Sequence, residues 1–223
     1  MKNYDLVIFD IDGTLVHTPW EYLAAKFKET FRSFRVSITD EAFLRRLWVG
    51  PDREAILRDY NLTEGQFWDR FSKFDTYESR SKVNMVYNDV AEIYRLRERD
   101  VKIAAFTNAN ESVALANLNL LYKVGNRRVF DYVLIAHKNS SLVKSGLINP
   151  KPDSRGVDLC LVGTGVKDKK RVVMVGDLED DISSARAAGV LDVLIDRGES
   201  PLMAVVPSRT IRNLSELVNL IFE

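Results

Sequence analysis

The sequence predicts an α/β fold, in which a doubly wound parallel sheet is covered by helices and carries an inserted helical domain. Short apolar runs alternate with helical patterns along most of the chain, which is typical of parallel strands joined by helical crossovers. Most of these runs end in polar residues, as expected where a buried strand reaches the carboxyl edge of its sheet. Between the first and second runs, the apolar residues follow helical spacing instead. The core is therefore predicted to comprise residues 1–16 and 100–223, and the inserted domain residues 17–99.

The first predicted strand, Leu6 to Phe9, is an apolar run that ends abruptly in two carboxylates. It continues as Asp10-Ile11-Asp12-Gly13-Thr14. Open α/β sheets bind their ligands outside the carboxyl ends of the strands. We therefore expect the chemistry of the protein to lie at this loop.

The inserted domain is predicted to be a helical bundle. Its aromatic and aliphatic residues recur at spacings of three and four, in the sets Phe27, Phe31, Phe34, then Leu44, Leu47, Trp48, then Phe67, Phe71, Phe74. Stripes at this spacing are more often the packed face of a helix than a ligand-binding surface. A further helix, Val86 to Leu96, is predicted to return the chain to the sheet.

Four more strands are predicted after the insertion, at residues 101–106, 132–136, 171–175 and 190–195. Helices are predicted between them, at residues 111–123 and 153–162 and in the segment that closes at Gly189, and an amphipathic helix follows Leu214. Polar residues follow three of these strands: Thr107 and Asn108, then Asp177, then, less clearly, Asp196. Because parallel strands bring their carboxyl ends to one edge, these side chains are predicted to lie near Asp10 and Asp12.

The charge balance and composition exclude several classes of partner. Lys and Arg total 32 and Asp and Glu total 32, so no net charge draws the chain to nucleic acid or to an anionic membrane. The single cysteine, Cys160, cannot form an internal disulfide, and no Cys/His cluster has zinc-ligand spacing. No run approaches the roughly 18 apolar residues of a membrane span. We expect a cytoplasmic monomer or homodimer that acts on a small metabolite.

The carboxylates point to a metal-assisted reaction at phosphorus. Asp10, Asp12 and Asp177 would repel one another at one sheet edge unless a hard cation neutralised them, and Mg²⁺ prefers such oxygen ligands and also binds phosphate. Asp10 could then attack a phosphate monoester and become a phosphoaspartate. If the chain curls at Gly13, Asp12 could protonate the leaving oxygen and later deprotonate water. Thr107, neighbouring backbone N–H groups and Lys151 would stabilise the anion.

Four segments, taken in order, resemble the four motifs of the haloacid dehalogenase-like (HAD) superfamily. They are Asp10-x-Asp12-Gly13-Thr14-Leu15-Val16, Phe106-Thr107-Asn108, Lys151-Pro152 and Gly176-Asp177-x-x-x-Asp181. The resemblance spans essentially the whole chain. It implies a Rossmann-like core, with the inserted helices as a C1-type cap. Within the insertion, the predicted cap loop from Trp48 to Glu54 resembles the specificity loop of members acting on sugar phosphates and phosphoglycolate.

The resemblance also implies a role for each motif residue. Asp10 would be the nucleophile and Asp12 the general acid and base, while Thr107 and Lys151, with the adjacent Asn108, would bind phosphate. Mg²⁺ would be held by the Asp10 carboxylate, the main-chain carbonyl of Asp12 and the Asp177 carboxylate. Asp181 would help to bind the ion, either directly or through water. In the cap, Arg53 could bind a remote anionic group of the substrate.

Several assignments keep alternatives. Lys138 and Lys144 compete with Lys151, and Glu179 and Asp180 could simply favour a helix N-terminus near Asp181. Thr107 or Asn108 could be a helix N-cap, and Arg53 an exposed first-turn arginine. The function predicted is a magnesium-dependent phosphatase, a phosphoric monoester hydrolase of small metabolites. A sugar phosphomutase would use the same residues, and a receiver-like phosphoryl acceptor or a scaffold protein is the alternative without enzymatic turnover.

Overall fold

The computed structural model describes residues 3–50, 52–124, 128–138, 140–198 and 203–223. The chain forms two compact units, one of Met1–His17 with Met85–Glu223 and one of Thr18–Asn84. The predicted insertion, residues 17–99, extends beyond the second unit. Residues 85–99 belong to the first unit because Val90, Ile93 and Leu96 are buried in a core cluster with residues of the sheet.

The first unit is built on a parallel sheet, which confirms the predicted fold class. The strands are β1 (Leu6–Phe9), β2 (Val16–His17), β3 (Met85–Val86), β4 (Lys102–Thr107), β5 (Tyr132–Ile135), β6 (Val172–Gly176), β7 (Leu191–Ile195) and β8 (Arg209–Ile211). Six of them form one sheet in the order β5-β4-β1-β6-β7-β8, with every neighbouring pair parallel. Strands β2 and β3 pair separately and antiparallel.

The second unit is helical, as the aromatic spacing predicts. Its helices are α1 (Trp20–Ser33), α2 (Glu41–Val49), α3 (Arg53–Arg58), α4 (Glu64–Phe74) and α5 (Tyr77–Val83). Except for Phe74, the predicted stripes meet in one core, in which Phe27 stacks on Phe67 at 6.1 Å between ring centroids and lies 4.9 Å from Phe71. Asp40 and Thr63 cap α2 and α4 through side-chain hydrogen bonds, which fixes where these helices begin.

The remaining helices cover the sheet on both faces. They are α6 (Ile93–Arg97), α7 (Glu111–Val124), α8 (Ser141–Lys144), α9 (Arg155–Thr164), α10 (Glu179–Ala188) and α11 (Leu214–Phe222). Alternate residues of β1 enter two different cores, Val7 and Phe9 one of them and Leu6 and Ile8 the other. Among the described residues, no helix has the length and apolar character needed to cross a bilayer.

One prediction about local structure is wrong, and one strand was missed. The segment from Val86 to Leu96 is not one helix: Val86 pairs with Val16 in the small ribbon, a 3-10 turn spans Val90–Glu92, and α6 begins only at Ile93. Strand β8 was not predicted, because its three residues contain no apolar run and two of them are exposed. Neither difference moves the edge at which the motif residues lie.

Strand β1 occupies the position that gathers the motifs. It pairs with β4 on one side and β6 on the other, with Phe9 opposite Ala105 and Val175. The order of connection reverses at this strand, which makes the carboxyl end of β1 a topological switch point. The loops after β1, β4 and β6 therefore meet at one place.

Candidate active site

Lys151 joins two of the carboxylates at this edge. Its Nζ donates to Asp10 Oδ1 at 2.5 Å and to Asp181 Oδ1 at 2.6 Å, and all three residues are buried. A third hydrogen bond runs from the same Nζ to the Phe106 carbonyl at 2.9 Å. The ammonium group thus uses its three donors on the ends of three different segments.

Asn108 fixes the backbone of Lys151. Its Oδ1 accepts from the Lys151 N–H at 2.8 Å, and its Nδ2 donates to the Lys151 carbonyl at 3.0 Å. The side chain of Asn108 therefore pairs with a peptide 43 residues further along the chain. This contact explains how a lysine that follows a long polar stretch reaches the end of β1.

Asp177 follows β6 and packs on the loop after β1. Its Oδ1 accepts a hydrogen bond from the Thr14 hydroxyl at 3.0 Å. Gly13 has φ +80°, and a Cβ at this position would lie 2.2 Å from Asp177 Oδ2. Glycine is thus required here both by the backbone conformation and by the close carboxylate.

Asp181 lies in the first turn of α10. Its Oδ2 accepts from the Leu178 N–H at 3.0 Å while its Oδ1 accepts from Lys151. A Cβ on Gly176 would lie 2.2 Å from the Asp181 Cγ, so the strand end leaves space for this carboxyl. Asp181 is buried, whereas Glu179 turns away and accepts the Ala204 N–H at 2.7 Å.

The electrostatics of the cluster are dominated by burial. Burial raises the pKa of Asp10 to about 7, and the Asp181 charge adds to this shift while Lys151 opposes it. Burial, together with the charges of Asp10 and Asp181, raises the pKa of Asp177 well above its ordinary value. For Lys151, burial lowers the pKa, but the charges of Asp10 and Asp181 outweigh it and raise the pKa overall. The lysine therefore remains charged, but its single positive charge does not balance the three carboxyl groups.

The same cluster fits a hard cation. One carboxylate oxygen each of Asp10, Asp177 and Asp181 lies within 4.8 Å of the others. Three hard oxygen donors with a single lysine to neutralise them match the ligand preference of Mg²⁺. Because Gly13 and Gly176 carry no Cβ, the carboxyl groups of Asp177 and Asp181 can pack directly against these two glycines.

The other predicted residues lie as follows. Asp12 is partly buried in the loop after β1 and forms a backbone β-bridge with Val16. Thr107 is buried at the end of β4, where its Oγ1 accepts a hydrogen bond from the Ala109 N–H at 3.1 Å. The N-cap of α7 is Asn110, whose Oδ1 accepts the Val113 N–H at 2.9 Å. The N-cap alternative for Thr107 and Asn108 is therefore wrong.

The competing lysines and Arg53 lie in other segments of the chain. Lys144 is exposed at the end of α8, and Lys138 is partly buried after β5. Arg53 begins α3 in the second unit and is partly exposed. Pro51, which belongs to the predicted cap loop, lies outside the described residues.

Arg197 is a residue of this edge that the sequence analysis missed. It follows β7, and its guanidinium donates to the Thr14 carbonyl at 2.8 Å. The polar residue noted after that strand was Asp196, whose carboxylate only accepts the Gly198 N–H at 2.8 Å within a turn. Polar residues recur after the predicted strands, and the same pattern could have identified Arg197.

Known proteins share this organisation. A family model described as haloacid dehalogenase-like hydrolase matches residues 7–195. A phosphoglycolate phosphatase of Pseudomonas putida is 27% identical over 226 residues, covering 96% of this chain and 78% of the relative. Pyrophosphatase PpaX of Halalkalibacterium halodurans is 27% identical over 233 residues, covering 96% of this chain and 95% of the relative.

The fold is shared more widely. The crystal structure of a hydrolase from Pseudomonas syringae superposes with a TM-score of 0.74 at 17% identity, covering 98% of this chain and 100% of that one. The predicted enzyme class, a HAD-like phosphoric monoester hydrolase, agrees with the family match and with the names of the relatives. Because the family model spans most of the sequence, the predicted superfamily is confirmed and the chain belongs to the haloacid dehalogenase-like hydrolase family.

Proposed function

We propose that the protein is a magnesium-dependent phosphatase that hydrolyses small phosphorylated metabolites through a phosphoaspartate on Asp10. The observation that carries this proposal is the buried cluster at the end of β1. Asp10 forms an ion pair with Lys151 there, and one oxygen of its carboxylate lies within 4.8 Å of a carboxylate oxygen of Asp177 and of Asp181. A nucleophile, a positive charge and a set of metal ligands are thus combined at a topological switch point.

Mg²⁺, held by Asp10, Asp177, the Asp12 carbonyl and Asp181 directly or through water, would offset the negative charge that otherwise repels a phosphate ester. Lys151 keeps one Asp10 oxygen in a hydrogen bond, which supports the ionised form and leaves the other oxygen for attack. Thr107 and Asn108 lie at the end of the neighbouring strand, where their side chains and N–H groups are proposed to orient the phosphate.

The reaction then proceeds in two balanced steps. The Asp10 carboxylate oxygen forms a bond to phosphorus as the ester bond breaks, and Asp12 gives its proton to the departing alcohol oxygen. Asp12, now a carboxylate, takes a proton from a water molecule whose oxygen attacks the phosphorus of the phosphoaspartate. Inorganic phosphate leaves, Asp10 is restored as a carboxylate, and Asp12 is again protonated.

The substrate is proposed to be a small anionic compound with a terminal phosphoryl group. The names of the relatives, phosphoglycolate phosphatase and pyrophosphatase, support this class. Arg53 is proposed to contribute to selectivity by binding a remote anionic group, and Arg53→Ala should then raise KM more than it lowers kcat. The cytoplasmic location and the monomeric or homodimeric state also remain proposals.

A panel of phosphate compounds tests the function. Purified protein is incubated with 2-phosphoglycolate, pyrophosphate and sugar monophosphates, with Mg²⁺ or with a chelator, and release of inorganic phosphate is measured. We expect release from at least one compound only with Mg²⁺, and none from Asp10→Asn. Asp196→Asn, at the same edge of the sheet, is the matched control and should retain activity because an amide oxygen can still accept the Gly198 N–H.

Two results would count against the proposal. Phosphate release that survives the chelator, or that persists in Asp10→Asn, contradicts the mechanism. Transfer of the phosphoryl group to a second position of a sugar phosphate, without release of inorganic phosphate, would identify the phosphomutase instead.

A further inference from the structure

Arg197 ties together three segments of the first unit. Its side chain is only 9% exposed, and its guanidinium pairs with Asp89 through two contacts, Nη1 to Oδ2 at 2.7 Å and Nη2 to Oδ1 at 3.1 Å. The same Nη2 donates to the Thr14 carbonyl at 2.8 Å. One side chain thus joins the end of β7, the segment after β3 and the loop after β1.

The neighbours of Arg197 hold it in this position. Its Cζ lies 4.1 Å from the centroid of the Tyr87 ring, and the Tyr87 N–H donates to the Leu15 carbonyl at 3.1 Å. Asp89 Oδ2 also accepts the Leu214 N–H at 2.8 Å, which fixes the acceptor that Arg197 uses. Because Asp89 already balances its charge, Arg197 acts on the loop through geometry and not as an anion-binding group.

Thr14 connects Arg197 to the carboxylate cluster. The Thr14 carbonyl accepts from Arg197, and the Thr14 hydroxyl donates to Asp177 Oδ1 at 3.0 Å. The adjacent Gly13 is so close to the Asp177 carboxylate that no side chain would fit between them. A displacement of Thr14 would therefore change the position or the rotamer of Asp177.

We propose that Arg197 is a positioning residue for the reaction: through Thr14 it holds the Asp177 carboxylate in the orientation that binds Mg²⁺ together with Asp10 and Asp181. The inference rests on the proposed function, since Asp177 has this role only if the cluster holds the metal. Groups that orient metal ligands from outside the coordination sphere affect both affinity and rate. The planar guanidinium matters, because a lysine cannot donate to Asp89 and to the Thr14 carbonyl with the same geometry.

The test compares Arg197→Met, Thr14→Val and the double variant with wild-type protein. Calorimetric Mg²⁺ titration gives the metal affinity without turnover, and steady-state kinetics separates kcat from KM. Arg171→Met is the matched control, because Arg171 forms a similar two-contact pair with Asp5 at the opposite edge of the sheet, at 2.5 Å and 3.0 Å. Arg197→Lys serves if Arg197→Met does not fold by circular dichroism.

We expect Arg197→Met to weaken Mg²⁺ binding and to lower kcat, each by about 10-fold, at the lower end of the range for residues that orient metal ligands. Substrate KM should change little, Arg171→Met should match wild type, and the double variant should be no worse than Thr14→Val, since both act along one route. Arg197→Lys should fall between wild type and Arg197→Met.

The inference is overturned if Arg197→Met, or Arg197→Lys in its place, binds Mg²⁺ as tightly as wild type. Additive losses in the double variant would likewise overturn the route through Thr14. Failure of the proposed function has a different signature, because the wild-type protein itself would then bind no Mg²⁺ and release no phosphate.

Discussion

Replacing Asp177 with asparagine should stabilise the metal-free protein while removing its response to Mg²⁺. The folded chain places this carboxyl beside Asp10 and Asp181, and burial together with their charges raises its pKa well above the ordinary value. A group with such a shift destabilises the folded state whenever it is ionised. Asparagine has nearly the same shape and can still accept the Thr14 hydroxyl, so the change removes charge and little else.

The size of the effect follows from the separation of the carboxylates. Two unit charges 4.8 Å apart, the limit that encloses the three ligand oxygens, repel by about 3.5 kcal/mol at an effective dielectric constant of about 20. Lys151 offsets roughly one of the two repulsions on Asp177, and partial protonation relieves some of the other. We expect Asp177→Asn to raise the free energy of unfolding by about 2 kcal/mol at neutral pH. The melting temperature of a chain of this size would then rise by about 4–8 °C.

Urea and thermal unfolding in the presence of a chelator measure this gain. The gain in stability should shrink as the pH falls towards the ordinary pKa of a carboxyl group, because the raised pKa means that the folded wild-type protein takes up the proton before the unfolded chain does. Asp192→Asn is the control and should lower the stability. Burial alone would raise the pKa of Asp192, but hydrogen bonds from Ser208 and the charge of Arg186 lower it overall. The ionised form of Asp192 therefore stabilises the fold. If Asp177→Asn is destabilised as Asp192→Asn is, or if Mg²⁺ still raises its melting temperature, the reasoning is refuted.

Three further predictions concern the chemistry and the lysine. Asp12→Asn should slow turnover of an alkyl phosphate by about 10²–10⁴-fold, as for loss of general acid–base catalysis, with a smaller effect on the first step with p-nitrophenyl phosphate; burst kinetics compares the two, and equal defects would contradict the role. Ca²⁺ should inhibit the Mg²⁺-activated enzyme in competition assays because its larger, more flexible coordination shell misplaces Asp10, and activation by Ca²⁺ would contradict this. Asn108→Ala should lower the free energy of unfolding by about 1–3 kcal/mol, since the Lys151 backbone loses two hydrogen bonds. Urea unfolding measures that loss, and Asn149→Ala, at an exposed position, is the control. A stability equal to that of wild type would show that these bonds contribute nothing.

The grouping of Asp10 with Asp177 could be predicted because it depends on strand ends alone. Asp10 and Asp177 each follow an apolar run, and parallel pairing with neighbouring strands brings such positions together. The aromatic stripes of the second unit were equally predictable, since a spacing of three and four leaves one face of each helix apolar. The roles proposed for the motif residues themselves remain predictions.

What could not be predicted depends on contacts between distant segments. No local pattern shows that Asn108 pairs with the peptide of Lys151, or that Arg197 reaches both Asp89 and Thr14. The predicted helix from Val86 to Leu96 is wrong for a similar reason. Val86 has helical neighbours in sequence, but its pairing with Val16 makes it a strand residue. Tertiary pairing overrides local propensity at such positions.

The most direct test of the proposed mechanism is to look for the covalent intermediate on Asp10. Asp12→Asn is mixed with p-nitrophenyl phosphate and Mg²⁺ and quenched in acid, and the peptide that contains Asp10 is analysed by mass spectrometry. Since this variant should form the phosphoaspartate but hydrolyse it slowly, we expect the added mass of one phosphoryl group on Asp10, and none when Asp10→Asn is combined with it. Turnover with no phosphoryl group on the protein, or with the group on another residue, would contradict the mechanism.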